Sequence, residues 1–448
     1  YRDFFADVVE SRQLVSLYDF ENRRKLFPAV DGRMKFSLLT ISGSECPSPE
    51  AEFAFFLHNT DDLADPDRRF PLSQEDIALI NPNTHTVPVF RSRQDAELTR
   101  KLYHAAPVLV NEEEGENPWG VRFFTMFHMT NDSGLFRNRE QLEAEGFVLE
   151  GNRFMRGEEV YLPLYEGKMF MPFDHRFANV IITDNIARPG QPDFATIEDR
   201  MNPSFVPTPR FWVEISEIRD KVGADYRYEW VLGFKNVTAP TNERTFLSTI
   251  LPLSGVGNSI SLMLPRSAPD ARYLACLTSN LNCFAFDFTV RQKMGNVNLN
   301  FYLVEQLPVL PPDRYTLELL DFIVPRVVEL TYTAWDMQPF AQDIMSEVGQ
   351  ETWDRWFADA PVHDSTPPAG QPAMPAPFVW NEERRARLRA ELDAVYAHLY
   401  GLTREELTYI LDTFPIVQRK DEKQWGEYRT KKLILEYYDT YMGKFGVE

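Results

Sequence analysis

The densest group of side chains able to read nucleic acid is Arg291-Gln292-Lys293-Met294-Gly295-Asn296-Val297-Asn298-Leu299-Asn300. Arginine, glutamine and asparagine make paired hydrogen bonds to base edges, while lysine and arginine neutralise phosphate. The alternative for this segment is a solvated helix end capped at Gly295. Tyr165-Glu166-Gly167-Lys168 and Asp174-His175-Arg176-Phe177 set Lys168, His175 and Arg176 beside an aromatic stretch. A DNA-facing strand pair and packing at a core edge are both open there. Asn131-Asp132-Ser133-Gly134, followed by Phe136, Arg137 and Arg139, reads as a turn first and as amide and guanidinium contacts to DNA second.

Other chemistries find little support. No GxSxG, Walker, GxGxxG, HExxH or C2H2 pattern occurs. The seven histidines are scattered without ligand spacing, so no metal site is expected. Gly255-Val256-Gly257-Asn258 lies between two strand-like runs and opens no helix, which makes it a β-turn rather than a phosphate loop. Glu166-Gly167-Lys168 has the E-x-K spacing of metal-dependent nucleases, but no upstream acidic partner stands at a convincing distance.

Charge narrows the choice further. The 448 residues carry a net charge of −20, which argues against a broadly basic surface. The window 241–300, which holds Arg244 and the 291–300 group, has five Lys and Arg against three Asp and Glu. Of the windows compared along the chain it is the only net positive one. Three cysteines without a CxxC pair fit a reducing, cytoplasmic location, and no apolar run reaches the length of a membrane span. YRDFFADVVESR reads as part of an amphipathic helix rather than a signal peptide, so the chain is expected to continue a longer polypeptide.

These side chains need elements to position them. Residues 1–60 read as a helix followed by strands at Leu14 to Phe20, Phe36 to Ile41 and Phe53 to His58, apolar on both faces as in a covered sheet. Those strands are expected to complete a sheet whose other strands lie elsewhere. Ser73 and Asp76 form a capping box for a helix in the connector 61–110, and a second helix covers about Gln94 to His104. From about 111 to 310, short β-like runs such as VRFFTMF, YEWVLGF, SLMLP and NFYLVEQLPVL alternate with turn residues. One helix is expected at Ala271 to Arg291. Residues 313–448 turn helical around a Pro/Ala-rich stretch at 358–379, with a helix stopped by Gly401 and a capping box at Thr403 and Glu406. The fold class expected is α+β.

The strings LVSLYDFENRRKLFPAVDGRMKFSLLTIS, NPWGVRFFTMFHMTNDSGLF, LPLYEGKMFMPFDHRFA, FDFTVRQKMGNVNLNFYLVEQLPVLPP, ELTYTAWDM and FPIVQRKDEKQWGEYRTKKLILEYYD are spread along nearly the whole chain. In them the chain resembles the C-terminal part of large adenine-specific DNA methyltransferases of type IIG-like restriction-modification and phage-defence systems. The resemblance implies that 1–60 are terminal strands of a Rossmann-like methyltransferase sheet, 111–310 a target-recognition domain and 313–448 a helical C-terminal module. It also implies double-stranded DNA as partner, a catalytic domain N-terminal to this region, defence-system subunits as further partners, and a bacterial cytoplasm. The family's catalytic Asn/Asp-Pro-Pro-aromatic motif and its glycine-rich cofactor motif are absent. Asn81-Pro82-Asn83-Thr84 lacks the second proline and the aromatic. No catalytic residue and no cofactor is therefore expected here, S-adenosylmethionine belonging to the parent protein. Lys168, His175, Arg176, Arg244, Arg291, Lys293, Asn296, Asn298 and Asn300 fall in the implied recognition domain and are the expected DNA contacts. The rival expectation is a scaffold module of a defence complex that reads no DNA, its acidic C-terminal helices docking a partner.

Overall fold

A computed structural model of the chain describes residues 2–183, 190–266, 269–295, 297–368 and 372–445. It is a mixed α+β protein. The first helix, Arg2–Glu10, leads into a four-stranded sheet ordered Lys35–Ile41, Leu14–Glu21, Glu50–Leu57, Phe70–Ser73. Leu14–Glu21 runs antiparallel to Lys35–Ile41 and parallel to Glu50–Leu57, so the sheet is mixed. Val8, Leu17, Phe53 and Phe70 pack on one face together with Ile77, Ile80 and Phe90, while Phe20, Ala54 and Leu57 form a small cluster apart from them. The edge strand Lys35–Ile41 is bare. Leu38 and Leu39 point to opposite faces of the pleat, and with Ile41 they are 53%, 39% and 51% exposed.

The connector forms as its caps direct. The Ser73 hydroxyl accepts from the Asp76 amide and the Asp76 carboxylate from the Ser73 amide, opening the helix Gln74–Ile80; Arg93–Ala105 follows.

Residues 121–265 build two further sheets. Val121–Phe124, Trp230–Lys235, Ser248–Pro252 and Ile260–Pro265 are antiparallel, with Trp230–Lys235 central. Side chains alternate along that strand between two cores. Val231, Leu251 and Leu262 face one, and Trp230, Leu232, Phe234 and Ile250 face the other. A Cβ on Gly233 would sit 3.0 Å from the Ile260 side chain, so a larger residue here would have to push that side chain aside. The second sheet carries Val148–Glu150, Arg153–Arg156, Glu159–Tyr165 and Trp212–Glu214, and Gly255–Val256 joins it parallel to Glu159–Tyr165. The GVGN segment is thus a short strand and turn. Ala178–Ile182 and Gly190–Phe194 pair as a separate hairpin.

Two elements differ from the sequence expectation. The helix expected at Ala271 to Arg291 is two helices, Ala271–Asn282 and Phe284–Lys293, parted at Cys283, whose thiol accepts from the Phe286 amide while Asp393 accepts from the Phe284 amide. FYLVE, read as strand, is the helix Phe301–Glu305.

The largest core ignores the boundary expected near 310. Trp230, Phe234, Phe246 and the helices Ala271–Asn282 and Phe284–Lys293 share it with Leu317–Thr331, Gln338–Val348 and Glu382–Leu399. Helix Glu382–Leu399 contributes Leu392, Val395 and Tyr396 and is not an appendage. Gly401 (φ +67°) ends it, and the Thr403/Glu406 capping box opens Arg404–Asp412. Among the described residues no helix is long and apolar enough to cross a membrane.

Candidate nucleic-acid interface

Most of the cations expected to meet DNA are turned inward. Arg176 is 0% exposed, and its two terminal nitrogens donate to the carbonyls of Asn202 (2.9 Å), Phe205 (3.1 Å), Arg200 (2.9 Å) and Thr333 (3.0 Å) and to Thr333 Oγ1 (3.1 Å). His175 Nε2 lies 2.9 Å from Asp336 Oδ1. Burial pushes the Asp336 carboxyl up, but the charge and hydrogen bond of His175, then Arg176, hold it below the ordinary range. The DHRF segment is therefore a seam. Arg176 and His175 tie the β-rich region 121–265 to Thr333 and Asp336 of the helical region, and Trp335 N donates to Pro203 O nearby at 3.0 Å.

The others follow the same logic. Lys168 Nζ bonds Gly190 O at 2.7 Å and pairs with Glu166 at 3.0 Å, so the E-x-K spacing makes an internal ion pair. Among the described residues no His/Cys/Asp/Glu group could hold a metal. Arg244 pairs with fully buried Asp287 at 2.6 Å. Arg291 donates to the carbonyls of Thr413, Asn242 and Glu243 and lies 3.8 Å from the centre of the Phe414 ring. Lys293 Nζ sits between Ile80 O (2.6 Å) and Gln306 O (2.5 Å), with no carboxylate bonded to it, and burial holds its pKa well below the usual lysine range. Arg137 bonds its own turn at Gly134 and Phe136, and Arg139 pairs with Glu143. These contacts correct the expected set: His175, Arg176, Arg244 and Lys293 are internal fasteners, and Lys168 and Arg291 have their cationic ends committed to protein acceptors.

The amides behave differently. Asn296 lies outside the described residues. Gln292 and Asn300 are half-buried, and neither side-chain amide makes a hydrogen bond among the described residues. Asn298 is half-buried opposite Val237 in an antiparallel bridge. That bridge is closed by Leu299 N to Asn236 O at 2.8 Å and Thr238 N to Val297 O at 3.1 Å. The helix before it ends at Met294 rather than at a left-handed Gly295. Val237, Val297 and Tyr302 are 56%, 58% and 55% exposed. Gln292 and Asn300 thus lie beside an exposed phenol ring and two exposed valines. Tyr302 and Val237 were not singled out from sequence. The Tyr302 signal was hidden by reading FYLVE as strand, and Val237 stands 60 residues upstream, brought in only by the bridge.

The lysine that closes this edge has an unusual environment. Lys235, at the end of the central strand, has its amine 3.5 Å from Met171 Sδ and 5.3 Å from the centre of the Phe170 ring, and burial alone lowers its pKa to about 8. The chain matches no protein-family model and no curated protein.

Proposed function

We propose that this chain is the target-recognition portion of an adenine-specific DNA methyltransferase of a restriction-modification or phage-defence system, itself without catalytic residues, acting on double-stranded DNA. The observation that carries the reading is the 292–302 surface, where the Gln292 and Asn300 amides are uncommitted and Tyr302 is exposed. Such amides can bind adenine at N6 and N7, and each good paired contact discriminates by ~1–3 kcal/mol. The bare edge strand Lys35–Ile41 supports the companion reading that the first sheet is continued by strands of a Rossmann-like methyltransferase domain.

The test is fluorescence anisotropy with pooled random duplex DNA, titrated from low to physiological salt, followed by sequencing of the retained DNA. A salt slope of about −2 to −5 and an enriched site are expected. Gln292→Ala with Asn300→Ala should lower preference for that site by roughly 5- to 150-fold per lost contact while leaving binding to random duplex in place. An enriched site that this double variant selects as well as the wild type does would overturn the assignment.

The same exposed strand favours a second reading, a protein-interaction module with no direct DNA reading. In that case Leu38→Lys with Ile41→Lys abolishes assembly with partner subunits, the chain alone keeps its thermal midpoint, and no duplex binding is seen at low salt.

A further inference from the structure

Between the recognition region and the helices Glu382–Leu399 and Arg429–Phe445 lies a cleft of about 570 Å³, a size ordinary for a small-molecule site. Five arginines and five carboxylates line it, yet their hydrogen bonding is lopsided. Every carboxylate is engaged by the protein. Asp174 is held by Arg200, Asp393 by Phe284 N, Asp421 by Thr430 N, Glu382 by the Trp380 indole and Glu243 by Lys420. Four of the arginines are likewise spent: Arg200 on Asp174, Arg244 on Asp287, Arg385 on Leu330 O and Phe173 O, and Arg429 on Glu383.

Arg389 is the exception. It stands one turn from Arg385 and one from Asp393 on the same helix face, and makes no hydrogen bond or ion pair among the described residues. Its side chain is open to solvent within the cleft. Arg385, its neighbour, is pulled down to about 9 by burial and then by the charge of Arg389. The nearby carboxylates Glu382 and Asp393 are held by other groups, neither pairs with Arg389, and a bound anion relieves the repulsion between the two guanidinium groups. Ser279 also lines the cleft, and its hydroxyl is buried with no partner among the described residues. At the cleft Trp425 is 50% exposed, with Arg429 4.3 Å from its ring centre.

We propose that this cleft binds a nucleotide unit, its phosphate on Arg389 and its base against Trp425. Arginine matches phosphate by paired charge-assisted hydrogen bonds, and an exposed indole stacks a base of any sequence. A free nucleoside monophosphate and one nucleotide of a single strand share this chemistry. The cleft shares no residue with the 292–302 surface, so the site stands or falls separately from the DNA reading.

Isothermal titration of the full chain with AMP, inorganic phosphate, adenosine and a short single-stranded oligonucleotide tests it. AMP is expected to bind at one site and to quench the Trp425 share of the fluorescence, identified against Trp425→Leu. Arg389→Gln should weaken AMP and phosphate by roughly tenfold or more without moving the thermal midpoint, because Arg389 fastens nothing. Trp425→Leu should weaken AMP and leave phosphate alone. An oligonucleotide that displaces AMP assigns the source to a strand, and one that does not assigns it to the free nucleotide. No AMP binding up to millimolar concentration, or equal binding by Arg389→Gln, overturns the proposal. Gln292→Ala with Asn300→Ala should leave AMP binding unchanged.

Discussion

Replacing Arg176 by methionine separates a DNA-contact role from a fastening role. The side chain is 0% exposed, its five hydrogen bonds reach three carbonyls of 200–205 and both acceptors of Thr333, and it lies near the charges of Asp336 and Asp174. Burial pulls its pKa below the ordinary arginine value, so the guanidinium is held at a desolvation cost that those acceptors offset. Methionine fills similar space but donates nothing, and leaves buried carbonyls unmet at ~1–3 kcal/mol each and two carboxylates short of a counter-charge. The losses are not additive, because chain relaxation and water recover part of them. A total of ~3–5 kcal/mol follows, the range for breaking a buried charged group's partners. A kcal/mol shifts the midpoint of a 150- to 250-residue unit by ~2–4 °C, and by less in a larger one, so a drop of roughly 5–10 °C is expected in differential scanning fluorimetry at pH 7. Arg139→Ala, which removes an exposed pair with Glu143, is the control and should move the midpoint by no more than about 1 °C. A midpoint unchanged in Arg176→Met together with lost DNA binding would refute the reasoning, since a fastener cannot be removed silently.

Other consequences are open to measurement. Arg291→Ala should lower the midpoint by a few degrees, through its lost bonds to Thr413, Asn242 and Glu243, while leaving the selected DNA sequence unchanged; relaxed selection at one base pair would restore it as a reader. Asp336 is depressed in the fold, so it contributes stability above about pH 4 that is lost as pH falls through its folded pKa; Asp336→Asn should lower the midpoint at pH 7 and flatten that acid limb in a pH series. Lys235 at about 8 gives a slope of the same sign in an alkaline window, as the relief of a penalty rather than the gain of a bond. Between pH 8 and about 10.4 the unfolded chain binds the extra proton, so its term makes stability rise with pH, and Lys235→Met should remove that rise in midpoints read from pH 7.5 to 10. Asp393, raised to about 6 chiefly by burial, binds its proton more tightly in the fold, so its term weakens the protein between about pH 4 and 6; Asp393→Asn should abolish that slope.

What could be read without coordinates was whatever local chemistry decides. The strands Leu14–Glu21, Lys35–Ile41 and Glu50–Leu57 follow from β-branched and aromatic runs, and the Ser73/Asp76 and Thr403/Glu406 boxes from side chains reaching their own backbone. The break at Cys283 was not legible, because the Phe284 amide is capped by Asp393, 109 residues away. FYLVE was ambiguous for the usual reason that a short apolar run fits strand and helix alike; in the fold it is a helix with Leu303 and Val304 buried, and the Asn300 side chain makes no cap bond that could have announced it. The polar clusters were the least legible. Residue type told that Arg176 could donate several hydrogen bonds; only the fold told that Thr333 and residues 200–205 would receive them.

The net charge of −20 takes on a different meaning once the arginines are placed. Arg176, Arg244, Arg291 and Arg385 hold segments together by donating to carbonyls or to Asp287, so these guanidinium groups are spent within the protein. Arginine suits this task because its planar fork satisfies several acceptors at once and is weakly hydrated compared with an ammonium. The fold also buries Asp95, Glu166, Asp174, Asp287, Glu329 and Asp393, so the surface keeps an acidic balance close to that of the composition, and duplex DNA approaching it is repelled except where that field is locally weak. On the proposed reading, recognition on such a protein rests on neutral donors and acceptors, and the Gln292 and Asn300 amides, rather than the cations flanking them, are the groups proposed to read DNA.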